Sequence, residues 1–128
     1  MVDDSNPEYF FRDWFAEWGA KPPSFGSATE LLVRAIDKDP ERAWDLILGL
    51  IERAPDAETL NCVGAGPLED LLSSHGSAFI DRVEVRSRSD EQFQNCLAYV
   101  WAFLSIEPSI YDRLCLVAPV RRRPVGGA

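Results

Sequence analysis

Helix-start and helix-stop signals recur along the whole chain, and they constrain its fold more than any other feature. Asn6-Pro7 and Asp39-Pro40 each set a capping residue before a proline. Proline at the first helical position gives up only an N–H that would have no partner within the helix. Ser27-Ala28-Thr29-Glu30 and Ser89-Asp90-Glu91-Gln92 fit the capping box, in which the first and fourth residues satisfy each other's backbone donors. Asp56 caps a further segment, and Pro108 opens a last one that Pro119 ends.

Between these signals the apolar residues recur at helical spacing. Phe11, Trp14, Phe15 and Trp18 form one stripe, stopped by Gly19 and Pro22-Pro23; Leu31, Leu32, Ala35 and Ile36 form the next. Trp44, Ile47, Leu48 and Ile51 are joined by a second stripe, Leu46 and Leu50, and a helix that is apolar on two sides is buried on two sides. This helix is therefore expected to be central, and Pro55 stops it. Leu60 and Val63 belong to a short helix. Gly64-Ala65-Gly66-Pro67 reads as a turn launching Leu68, Leu71 and Leu72, closed by Gly76. Phe79, Ile80 and Val83 keep helical spacing, although Val83-Glu84-Val85-Arg86 also alternates like a strand. Phe93, Cys96, Leu97, Val100, Trp101 and Leu104 make the most regular stripe, and Ile110, Tyr111, Leu114 and Val117 the last.

The expected fold class is all-α: a compact bundle of about seven or eight short helices, with connections of the length usual between packed helices. Residues 40–88 have the order of stacked helical hairpins. Residues 1–120 form one helical domain, and residues 121–128 a basic, Gly-rich tail.

Charge narrows the function classes. The 128 residues carry a formal net charge of −8. Residues 1–60 hold 13 carboxylates against 6 cations, while residues 61–128 hold 8 against 7. Such a field repels phosphate backbones and attracts basic proteins, although solubility alone also accounts for it. Arg82, Arg86, Arg88 and the Arg121–Arg123 run then read as a solvated face and tail, with no nucleic-acid partner expected. No apolar run approaches the roughly 20 residues of a membrane span, and the acidic start reads as no secretory signal. Cys62, Cys96 and Cys115 are widely spaced among apolar neighbours, and His75 is the single histidine. That set offers no zinc site of ordinary type, so no metal or cofactor is expected, and a reduced cytoplasmic setting follows. The motifs of phosphate-binding loops, dinucleotide folds, zinc proteases and serine hydrolases do not occur, and the chain reads as not an enzyme.

Three groups of residues remain as candidates. Glu69, Asp70 and His75 put carboxylates near an imidazole, which suits a pH-sensitive contact or, as a third reading, a small hydrolase or transferase working through Glu69 and His75. The simpler alternative places both carboxylates in a first helical turn, where negative charge complements the dipole. Six aromatics fall between Tyr9 and Trp18; with Phe11, Trp14, Phe15 and Trp18 assigned to the core, Tyr9 and Phe10 are left on the flank as interface anchors. Glu41, Asp45, Glu52, Asp56 and Glu58 would steer a cationic partner.

Ala65-Gly66-Pro67-Leu68-Glu69-Asp70-Leu71-Leu72, followed by His75-Gly76 and flanked by Trp44 and Trp101, resembles a family of small uncharacterised bacterial domain proteins over roughly residues 40–104. The resemblance implies a bacterial origin and a helical fold, and brings no established activity. As a class, small acidic helical domains are similar to the immunity proteins and inhibitors that block basic partners. The leading expectation is a protein-binding module that neutralises or regulates a partner protein. Its alternative is a self-associating scaffold domain, a homodimer joined through Tyr9 and Phe10.

Overall fold

A computed structural model describes residues 7–100 and 105–118. Its elements are α1 Pro7–Gly19, α2 Ser27–Lys38, α3 Pro40–Arg53, α4 Ala57–Val63, a π-helical turn Gly64–Leu68, α5 Glu69–Ser87, α6 Glu91–Leu97 and α7 Pro108–Val117. The described residues contain helices and no strand, so the fold is all-α, and residues 83–86 are helical. Because α4, the π turn and α5 run on without a break, the described residues form six separate helical segments rather than seven or eight.

Helix α3 is central, as its two apolar stripes require. Ala43, Trp44, Leu46, Ile47, Gly49, Leu50 and Ile51 are all buried, and the helix packs against α1, α2, α4, α5 and α6. The Trp44 ring lies 5.5 Å from Phe79 on α5 and 5.8 Å from Phe93 on α6. Gly49 lets α1 come close: a Cβ there would stand 2.3 Å from Phe11 Cζ. Helix α7 is tied to α5 by Arg113, which donates to Asp81 at 2.8 Å and to Glu84 at 2.9 Å.

Several local expectations are corrected. Gly64–Pro67 is not a turn that breaks the chain's helical course. Pro67 has no N–H to donate, and the Glu69 N–H reaches back five residues to the Gly64 carbonyl, so the helix widens and continues. Glu69 and Asp70 accordingly follow a bonded turn, not a free helix start. Gly76 does not close a helix either. α5 kinks at His75 (φ −136°, ψ 26°) and runs on to Ser87, while Gly76 admits Ile110 of α7, whose Cγ2 would lie 3.0 Å from a Cβ at that position. Helix α6 stops at Leu97, where Tyr99 N–H bonds Cys96 O at 3.0 Å and Val100 N–H bonds Leu97 O at 3.1 Å. These i to i+3 bonds tighten its last turn. Asn6, Trp101, Leu104, Pro119 and the tail 121–128 lie outside the described residues.

Capping follows the sequence at Asp39 and Asp56 and departs from it at α6 and α2. Asp39, Asp56 and Asp90 accept from the N–H groups of Arg42 (3.4 Å), Thr59 (2.8 Å) and Phe93 (3.0 Å). The cap of α6 is thus Asp90, one residue after the serine of the expected box. At α2 the serine box does not form at all; Gly26 occupies the cap position without a side-chain bond, and a carboxylate from α1 takes over.

Candidate functional site

That carboxylate is Glu17. It accepts hydrogen bonds from the backbone N–H groups of Gly26 (2.8 Å), Ala28 (3.0 Å) and Thr29 (2.9 Å), and from the Thr29 hydroxyl (2.7 Å). Burial works to raise its pKa, but the Thr29 hydroxyl and the three N–H groups outweigh burial and hold it below the ordinary glutamate value. The Thr29 hydroxyl in turn accepts from Trp18 Nε1 at 3.0 Å. Trp18 is therefore fixed at the surface end of α1. It stacks on Trp14 with ring centroids 5.0 Å apart, and Phe25 lies against it at 4.7 Å while remaining 60% exposed.

Two cavities flank Trp18. One, of about 220 Å³, opens beside Lys21, Asp56, Glu58 and Cys62. Lys21 Nζ is 2.6 Å from Glu58 there, and burial pushes the Cys62 thiol above its ordinary pKa. The other, of about 50 Å³, lies between α1, α2 and the π turn and is walled by Trp14, Leu32, Val33, Ile36 and Pro67 together with Asp70. Asp70 is exposed as a residue, yet enough protein surrounds its carboxyl that burial pushes its pKa above the ordinary aspartate value. His75 is half-buried, and its Nε2 donates to the Ile36 carbonyl at 2.7 Å, tying α5 to the last turns of α2. Asp70 and His75 thus converge on Ile36 from one helix.

The remaining candidates fall elsewhere. Glu41, Asp45 and Glu52 are exposed along one face of α3. Glu41 holds Arg82 of α5 through two 2.7 Å bonds, and that hydrogen bonding lowers its pKa. Glu52 lies 4.0 Å from Arg53. Beside this face a groove of about 460 Å³ runs between α3 and α5 over Trp44, Leu48 and Val85. Glu69 is half-buried, and its carbonyl accepts from Ser73 Oγ at 2.8 Å. Tyr9 is 44% exposed, with the Arg12 guanidinium 4.7 Å from its ring centre.

Phe10 is the candidate that the structure removes: it is 1% exposed and part of the core. The buried face of α1 is Phe10, Phe11 and Trp14, with Phe15 and Trp18 only partly buried against it, so the face is rotated toward Phe10. Sequence reasoning also missed Glu17, Phe25 and Val33. Phe25 carried a signal, a large aromatic directly after Pro22-Pro23-Ser24; Glu17 carried none, because its partners lie at the start of another helix.

Among the described residues no three His, Cys, Asp or Glu side chains gather as a metal site, and no helix is long and apolar enough to cross a membrane. No curated protein and no solved structure matches the chain. The family comparison does: the chain belongs to a family of unknown function, DUF6869, whose model matches residues 20–122.

Proposed function

We propose that this protein is a binding module for a cationic protein partner, which it neutralises or regulates by covering part of the partner's surface, as immunity proteins and inhibitors do. The observation that carries this reading is the surface around Trp18. An exposed aromatic, Phe25, lies tilted against a fixed indole, and carboxylates from two other helices, Asp56 and Glu58 on one side and Asp70 on the other, flank the same ring. Anchor and steering charge are thereby adjacent, the arrangement of an interface with an apolar centre and a charged rim. Glu41, Asp45 and Glu52 extend the negative field along α3 and contribute to encounter rather than to contact. A bacterial cytoplasm is the proposed setting, in keeping with the free thiols of Cys62, Cys96 and Cys115.

Burial of Phe10 favours this reading over self-association, because the N-terminal helix keeps only Tyr9 of the two aromatics such a dimer face needs. It is favoured over catalysis by Glu69 and His75 because the His75 ring already holds the Ile36 carbonyl.

The test is affinity capture from the encoding organism at low ionic strength, followed by identification and a binding assay with the purified candidate. A basic protein bound stoichiometrically by the wild type, and weakened when Phe25 is changed to Ser, is the expected result. Recovery of the bait alone at its monomer or dimer mass sinks the proposal.

A further inference from the structure

The small cavity beside Trp18 has a chemical asymmetry. Its walls are indole rings and aliphatic side chains, and Asp70 brings the single carboxylate among its lining residues. Among the described residues no cation and no hydrogen-bond donor engages that carboxyl, and burial is what perturbs it. The other side-chain oxygen, Thr29 Oγ1, is already committed to Trp18 and Glu17. Asp70 keeps solvent on its outer side, and an opposite charge arriving at the recess would pair with it where protein partly shields both from water.

We propose that this recess is a socket for one alkylammonium group, the end of a lysine side chain carried by the partner, held by the Asp70 carboxylate against the Trp14–Trp18 wall. The proposal deepens the binding reading above and rests on it for the source of the lysine, while the socket itself is testable with a small ion.

Size, donor count and rigidity lead to an ammonium. The recess measures about 50 Å³, and a water needs about 10–15 Å³ on such a measure, so roughly three or four heavy atoms fit: a nitrogen and the methylenes next to it. A guanidinium brings five N–H donors in a rigid fork, more than one carboxylate satisfies in an otherwise apolar recess. An ammonium turns its charge to Asp70 and its stem to Leu32, Val33 and Pro67. A cation beside an indole also gains from the ring's quadrupole, by about 0.5–2 kcal/mol. The walls are set in place beforehand. Trp18 is held by its bond to Thr29, and the ring packs over Gly66, where a Cβ would lie 3.4 Å from Trp18 Cη2. Val33, 57% exposed, gives the recess an apolar edge at the surface, the setting in which one inserted side chain carries much of a binding energy.

The experiment follows the Trp18 indole and Val33 methyl resonances while n-butylammonium chloride, n-butylguanidinium chloride or n-butanol is added at constant ionic strength. The wild type is expected to show saturable shifts at both groups with butylammonium, and binding about tenfold weaker with either comparison compound or in Asp70→Asn. The variant loses only a charge that had no partner, so it keeps its fold, which an unchanged spectrum elsewhere verifies. Equal affinity in Asp70→Asn, an equal response to butanol, or no saturable shift in the wild type overturns the socket. A failed titration beside salt-sensitive partner capture removes the socket and leaves the binding reading standing. A successful titration with no captured partner does the reverse.

Discussion

Glu17 and Asp70 are two carboxylates with opposite energetic signs. Glu17 accepts four hydrogen bonds at the start of α2. In Glu17→Gln an amide N–H₂ must face one of these donors, and we expect a loss of about 1–2 kcal/mol, read by urea unfolding at neutral pH. Its pKa is lower folded than unfolded. The stabilisation is therefore complete above the unfolded value, about 4.3, and is lost as pH falls through the lower, folded value. Glu41, Asp56 and Glu84 share that sign, so the difference between wild type and Glu17→Gln, not the acid limb alone, isolates Glu17. Asp70 is the reverse: its pKa is raised in the folded state. The folded state is favoured relative to unfolded at low pH, and that advantage is lost as pH rises from the unfolded value, about 3.9, through the folded one. Asp70→Asn should unfold at the same or a higher temperature than wild type at neutral pH, with the difference vanishing in acid. A lower midpoint at neutral pH would mean that the charge is stabilised in the folded chain after all.

Helices meet here where glycine removes a side chain. Gly49→Ala adds helix propensity worth about 1 kcal/mol but sets a methyl 2.3 Å from Phe11 Cζ, and overpacking of a filled core costs about 1–3 kcal/mol. The net expectation is destabilisation, partly relieved by Phe11→Leu in a double-mutant cycle. Gly64→Ala should cost more. Its methyl would stand 2.4 Å from the backbone oxygen of Cys96, and moving that oxygen means moving α6. Denaturant midpoints of the two variants give the order, and Gly64→Ala milder than Gly49→Ala would contradict it. These contacts explain which element features were legible in advance. Stripes such as Trp44, Ile47 and Ile51 are written within one helix, as are the caps Asp39 and Asp56. The π register was not legible, because a Gly-Ala-Gly-Pro string has the composition of a turn and continues as helix only through packing of Gly64 on α6 and Leu68 in the core.

At the scale of the whole molecule the net charge of −8 acts on encounter. Association with a basic partner should slow steeply as salt rises, because the Debye length falls from about 10 Å at 0.1 M to about 3 Å at 1 M. Stopped-flow rates across that range measure it, and a rate indifferent to salt would remove the electrostatic half of the proposed function. Charge and its bias toward residues 1–60 were readable from the chain, as was Asp70 as a residue of interest. The grouping of the candidates was not. Glu41, Asp45 and Glu52 run along α3, while Asp56, Glu58 and Asp70 gather around Trp18 with Phe25, leaving Tyr9 apart and Phe10 inside. What the sequence by itself determined is the all-helical class, the starts of α3 and α4 and the central place of α3, since caps, prolines and apolar spacing act between residues three or four apart. Only the tertiary structure decided which aromatics are buried, which carboxylate caps α2 and which one lines the recess beside Trp18. Those outcomes depend on atoms brought together from separate helices, whose meeting is governed by packing and not by local spacing.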